Sequence, residues 1–157
     1  MNYSSFQNAS DSNFALLQQL FSNSKKFKLV KPVRNNSVYD GILFVEKNGV
    51  QQVILIEVKR REFDINTLQN EYKGDLFLEK SKYIYLHKQK DKFIKNHPNK
   101  EIKIWYLNKT QDGFVFIHDI TDRDLIWISR EMNKITYSPK QEKTLKHIAL
   151  LHTSDAI

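Results

Sequence analysis

Cysteine is absent from all 157 residues, which excludes disulfides, zinc–thiolate sites and thiol catalysis. No run of about 20 apolar residues occurs, so no membrane-spanning helix is expected. No charged-then-apolar leader opens the chain, and a cytoplasmic location is the expectation. Internal repeats, linkers and low-complexity tracts are also lacking, which predicts one domain over residues 1–157. The five histidines, at 87, 97, 118, 147 and 152, show no metal-ligand spacing and are expected to be structural or exposed. No helix-turn-helix or zinc-finger pattern is present. Acidic charge is in the minority: 18 Asp and Glu face 25 Lys and Arg, a formal net charge of +7. That balance favours polyanionic partners, nucleic acid before a membrane surface, because phosphate contacts release counterions.

The most informative stretch runs from Tyr39 to Lys59. Two apolar runs meet at Asn48-Gly49, a pair suited to a type I′ turn because both positions need positive φ. With that turn, Lys47 pairs with Val50, Phe44 with Val53, and Asp40 with Glu57. Directly opposed Cβ atoms lie about 4.5–5.5 Å apart, and two facing carboxylates need a proton or cation between them. Hard oxygen donors suit Mg²⁺, with Mn²⁺ able to substitute. Lys59, two residues beyond Glu57, projects from the same face. An acid pair beside an ammonium meets the needs of phosphodiester hydrolysis: a metal to polarise the phosphoryl oxygen, a lysine to orient water or neutralise charge.

Around this hairpin, residues 1–10 are expected to be loosely held, and Asp11 to Ser22 to form a helix with Asp11 near its N-terminus. Lys26 to Val33 reads as an edge strand. The second hairpin strand, with Ile54, Ile56 and Val58 on one face and Val53 and Leu55 on the other, reads as central and covered on both sides. Asp64 to Glu79 is predicted helical, Lys82 to Leu86 a strand, Gln89 to Asn96 a helix, Ile102 to Leu107 and Phe114 to Ile117 strands. Leu125 to Ile128 is expected to hold a short helix or strand, and Pro139 to open a last helix to about Leu151. The core is placed at about 11–107, with 108–157 as a C-terminal elaboration.

Asp40, sixteen intervening residues and Glu57-Val58-Lys59 resemble the signature of the PD-(D/E)XK nuclease superfamily: an acid, a hairpin, then acid-x-Lys in a buried strand. Two other Glu-x-Lys triplets, Glu71-Tyr72-Lys73 and Glu101-Ile102-Lys103, lack the hairpin-linked upstream acid. The resemblance covers about Val38 to Tyr72. Tyr39 stands where the family usually has proline, and the helix before the hairpin has no glutamate. Asn13 or Gln18 there could supply a neutral oxygen, although a plain polar surface is the favoured reading.

The resemblance implies an α/β, restriction-endonuclease-like core: a central mixed sheet whose hairpin carries the site, flanked by helices. It implies a Mg²⁺-dependent deoxyribonuclease in which Asp40, Glu57 and the Val58 backbone carbonyl hold the metal and Lys59 assists. Some exonuclease members carry a glutamine and a tyrosine on the next helix, which points to Gln69 as a catalytic and Tyr72 as a nucleic-acid-binding candidate. Arg60 and Arg61 extend the strand and are expected to grip flanking phosphates of DNA, with RNA left open. The Lys88 to Lys100 cluster reads at least as well as a solvated helix face. Aromatic pairs such as Trp105 and Tyr106 are expected to fill the sheet. A homodimer is possible through the C-terminal stripe. Two alternatives stand beside the nuclease: a catalytically lapsed nuclease-fold protein that binds nucleic acid, and a structural or inhibitory protein that binds another protein.

Overall fold

Alternation of apolar residues along Gly41 to Arg60, broken only at Asn48-Gly49, builds the centre of the molecule. In a computed structural model, which describes residues 3–22, 24–32, 39–133 and 143–157, Asn48 and Gly49 take φ of 55° and 78°. They close a hairpin between β2 (Gly41–Lys47) and β3 (Val50–Arg60). The register is the one the turn dictates, from Lys47↔Val50 through Phe44↔Val53 to Gly41↔Ile56. β1 (Phe27–Val30) is an edge strand on β2, as expected from Lys26 to Val33, with Val33 outside the described residues. β3 pairs in parallel with β5 (Glu101–Lys109), which is flanked by antiparallel β6 (Val115–Asp119). The result is a mixed five-stranded sheet, ordered β1-β2-β3-β5-β6.

Both faces of β3 are covered. Ile54, Ile56 and Val58 pack with Leu43, Leu107 and with Leu16 and Leu17 of α1 (Tyr3–Phe21). Val53 and Leu55 pack with Leu68, Leu76, Leu78, Leu86 and Leu151 on the other side. Each fully buried Leu or Ile contributes about 1.5–3 kcal/mol of transfer free energy. Gly41 sits where α1 crosses the sheet: a Cβ there would lie 2.5 Å from Leu17 Cδ1 and 3.2 Å from Leu29 Cδ1. Gly41→Ala is therefore expected to destabilise the fold by on the order of 1 kcal/mol through overpacking. Thermal denaturation checks this, and an unchanged melting temperature would show that α1 yields freely.

Several elements differ from the sequence expectation. The first helix begins at Tyr3, not Asp11, so Asp11 is a mid-helix residue paired with Lys31 and not a cap. The helix expected over Asp64 to Glu79 is split. α2 spans only Ile65–Asn70, capped by Asp64, whose carboxylate accepts from Thr67 N at 2.8 Å. Lys73 and Gly74 then take φ of 56° and 78°, and β4 (Asp75–Glu79) follows with Leu76 and Leu78 buried alternately. The strand expected at Lys82 to Leu86 is the start of α3 (Lys80–Asn96), which also absorbs the predicted Gln89 to Asn96 helix. Its inward stripe of Tyr83, Leu86, Lys90 and Phe93 has helical spacing, although tyrosine and isoleucine favour strands locally.

The predicted last helix is a strand, β8 (Lys143–His152), while Pro139 lies outside the described residues. β8 pairs with β4 on one side and with β7 (Ile128–Asn133) on the other, so ladder hydrogen bonds on both edges override a pattern that also fits a helix. Leu125 to Trp127 is irregular, β7 beginning at Ile128. The second sheet is three-stranded, β4-β8-β7. Residues of the C-terminal third thus complete the core: Ile148 and Leu151 are fully buried.

Candidate functional site

β2 leaves the ladder at Asp40, and the carboxylate of Asp40 takes over where the backbone stops. Asp40 N donates to Ile56 O at 2.8 Å, the last main-chain bond between the strands. Two residues along β3, Val58 N donates to Asp40 Oδ2 at 2.8 Å. Within a strand, a residue's N–H and C=O face the same edge, so the Val58 carbonyl points to the side on which Asp40 sits. Asp40 Oδ1 accepts from Asn13 Nδ2 at 3.3 Å. The α1 residue read in the sequence as a plain surface polar group thus lands on the first acid of the pair.

Glu57 lies on the β3 face that looks toward α3, opposite Tyr106 in the β5 register. Its side chain is 12% exposed, and Lys82 Nζ lies 3.1 Å from its Oε1. Burial pushes the Glu57 carboxyl up from 4.5 to about 7; Asp40's negative charge adds to the rise, while Lys82 and, less strongly, Lys59 oppose it. Asp40 is also raised by burial, against the Val58 and Asn13 hydrogen bonds and the charges of Lys82 and Arg60. Lys59 is lowered by burial first and by the charge of Arg61, while Glu79 and Glu57 pull it upward. Burial, followed by the charge of Glu57, also raises the Tyr39 hydroxyl. That hydroxyl donates to Leu86 O on α3, fixing the segment before Asp40 to the helix that carries Lys82.

Asp40, Glu57, Val58 and Lys59 are thus gathered at one end of the β2–β3 hairpin. The remaining candidates divide: Arg60 stays beside the pair, while Arg61 and Tyr72 are taken up in packing. Arg60 reaches back to α1, with Nε 2.9 Å from Asn13 Oδ1 and Nη2 3.0 Å from Ser12 Oγ, so it remains beside Asp40 and exposed. Arg61 is turned inward: Nε donates to Asn108 Oδ1 at 2.8 Å, Nη2 to Phe77 O at 2.6 Å, and the guanidinium stacks 4.6 Å over the Phe77 ring. Those bonds tie β3, β5 and β4 together and leave Arg60 as the arginine placed to meet a phosphate. Tyr72 packs between Phe63 and Phe77, at 4.9 and 6.3 Å between ring centroids. Gln69 is exposed, its Oε1 near Gly74 at the turn into β4 beside His152 and Thr153.

Lys82 and Glu79 were not singled out in the sequence. Lys82 falls in a segment that reads as a strand, and only the helical course of α3 brings its ammonium onto Glu57. Glu79, at the N-terminus of α3, takes Lys146 Nζ at 3.0 Å. Within the Lys88 to Lys100 cluster, Lys90 is buried, its Nζ 2.6 Å from Asp122 Oδ2. Trp105 and Tyr106 fill the sheet as expected; Tyr106 is buried and Trp105 packs on Phe21.

The donors suit a hard cation. Two carboxylates drawn close enough that Asp40's charge raises Glu57, with a main-chain carbonyl facing the same edge, match the all-oxygen preference of Mg²⁺, which keeps several waters of its own. Among the described residues no group of three or more His, Cys, Asp or Glu side chains converges as a metal cage. Comparison with protein-family models and with curated proteins found no match.

Proposed function

We propose that the protein is a restriction-endonuclease-like, Mg²⁺-dependent nuclease that hydrolyses phosphodiester bonds of DNA, with Asp40, Glu57, Val58 and Lys59 as its reaction centre. The observation that carries this reading is the meeting of two partly buried carboxylates at the end of one hairpin with a lysine on the same face as Glu57. Burying two like charges side by side costs stability and serves no structural purpose that an apolar pair would not serve better. Asp40, Glu57 and the Val58 carbonyl would hold Mg²⁺ or Mn²⁺. When bound, such an ion polarises the phosphoryl oxygen and lowers the pKa of its water.

The protein's own groups do the rest. Lys59, whose charged form is favoured by the carboxylates of Glu79 and Glu57, would orient the attacking water or neutralise charge on the phosphoryl oxygens. Lys82 supplies a counter-charge to Glu57 that a divalent ion can replace, and its half-exposed ammonium is then free to meet a phosphate. Arg60, held by Ser12 and Asn13, covers the flank of the site at α1.

A catalytically lapsed nucleic-acid-binding protein is the second reading, favoured by Asn13: the α1 residue nearest Asp40 is a neutral amide and not a third acid. One assay separates the two. The purified protein is incubated with Mg²⁺ or Mn²⁺ and single-stranded, duplex, flap and four-way-junction DNA, plus RNA. Divalent-dependent cleavage of a DNA substrate is expected. Salt-sensitive binding with no product under either ion would overturn the nuclease and leave the binding protein.

A further inference from the structure

β8 is longer than the partner that anchors it. β4 pairs with Ile148 to His152, and from His147 back to Lys143 the one partner of β8 among the described residues is β7. Ser129–Asn133 and Lys143–His147 therefore form a two-stranded ribbon that runs beyond the three-stranded sheet. A two-stranded ribbon is at best marginally stable in water by itself, and this one is exposed along most of its length, Leu145 at 73%.

Its charges make matters worse in isolation. Arg130 and Lys146 are directly opposed across the ladder, and like charges in that position are destabilising. Lys146 has Glu79 as a partner at 3.0 Å, whereas exposed Arg130 has none among the described residues. On the opposite face from Arg130 and Lys146 lie Lys143 and Glu131, the ribbon's one described acid. The cationic face leads to the candidate site: the Glu79 carboxylate that holds Lys146 also attracts the Lys59 ammonium.

We infer that the β7–β8 ribbon is a nucleic-acid grip: Arg130 and Lys146 seat the phosphate backbone of a duplex whose adjoining segment enters the site at Glu57 and Lys59. A two-stranded ribbon is narrow enough to enter the major groove of duplex DNA. Phosphates supply the anion that Arg130 lacks among the described residues, in a chain of net charge +7. Backbone contacts of this kind position the duplex without reading its sequence. The inference rests on the nuclease reading for what happens to the bound strand, but not for the binding itself.

Fluorescence anisotropy with a labelled 20-base-pair duplex in EDTA, titrated over a range of salt, tests it. Arg130→Ala is expected to lower the slope of log affinity against log salt by about one, and Arg130→Glu to weaken binding at low salt by roughly tenfold or more. Because Arg130 is exposed and opposes another cation, neither variant should melt below the wild type, which separates lost contact from lost fold. Equal affinity and equal salt slope in wild type and both variants would overturn the grip, as would a wild type without duplex affinity at low salt. Cleavage that persists with unaltered binding in Arg130→Glu removes the grip and keeps the nuclease. Ribbon-dependent binding with no cleavage under Mg²⁺ or Mn²⁺ removes the nuclease and keeps the grip.

Discussion

Asp40→Asn and Lys59→Ala are each expected to reduce divalent-dependent DNA cleavage by on the order of 10³-fold, while both variants fold. The magnitude follows from removing one preorganised charged group at a centre where charge develops on a phosphoryl oxygen. The fold survives for reasons specific to the site. In Asp40→Asn the side-chain oxygen still accepts from Val58 N, the bond that ends the β2–β3 ladder, and the core clusters do not include Asp40. Lys59 lies near the end of β3, and its loss leaves Arg61 in its bonds to Asn108 and Phe77.

The two substitutions should differ in a second readout. Asp40→Asn removes a charge that raises Glu57, so Glu57 should titrate closer to an ordinary glutamate. It also removes half of the acidic donor set, so Mn²⁺ binding by calorimetry should weaken. Lys59→Ala removes a cation and should leave Mn²⁺ binding intact or tighter. Cleavage at wild-type rate in both variants would sink the nuclease reading. Weakened Mn²⁺ binding in Lys59→Ala together with unaltered binding in Asp40→Asn would move the metal away from the pair.

How far the sequence carried depended on the length scale of the force responsible. The β2–β3 hairpin was legible to the residue because its register is set locally: Asn48 and Gly49 accept positive φ, and period-two alternation does the rest. Counting put Asp40 directly across from Glu57; the ladder ends one pair earlier, at Gly41↔Ile56, and Asp40 reaches that segment through Ile56 O and Val58 N. Lys82 was hidden because Tyr83-Ile84-Tyr85 is strand-prone in isolation, and only packing of Leu86 and Lys90 against the sheet favours a helix. β8 was misread for the mirror reason. Leu145, Ile148, Ala149 and His152 fit a helical stripe, but pairing with β4 and β7, residues far away in sequence, supplies main-chain bonds that no local pattern reports. Arg61 shows the limit within a strand: its neighbour Arg60 points to α1, while Arg61 goes to Phe77 and Asn108, and chain order alone does not say which arginine stays outside.

Glu57→Gln is expected to make the metal-free protein more stable at pH 8, by about 2 kcal/mol, while abolishing cleavage. Glu57's native carboxyl titrates near 7 in place of 4.5, chiefly because of burial. Between those two values the native state holds a proton that the unfolded chain has released. Stability from this group is therefore full below about pH 4.5 and falls as pH rises through about 7. At 1.36 kcal/mol per pKa unit the loss by pH 8 is about 3 kcal/mol. Gln removes it, less a small cost for releasing the partly exposed Lys82 from its ion pair.

The gain should shrink toward zero near pH 4.5, where the wild-type carboxyl is already neutral. Saturating Mg²⁺ should raise the wild-type melting temperature at pH 8 and leave that of Glu57→Gln nearly unchanged, since an ion that binds only the native state stabilises it by mass action. Denaturation of both proteins at pH 5 and pH 8, with and without Mg²⁺, checks all three stability outcomes. A gain larger at pH 5 than at pH 8 would mean that Glu57 is stabilised as a carboxylate by Lys82 and not strained by burial. Acid strained in this way at the end of a well-packed hairpin is the pattern of a site that gives up stability for function, because an ordinary buried position would have been filled by glutamine or leucine at no such cost.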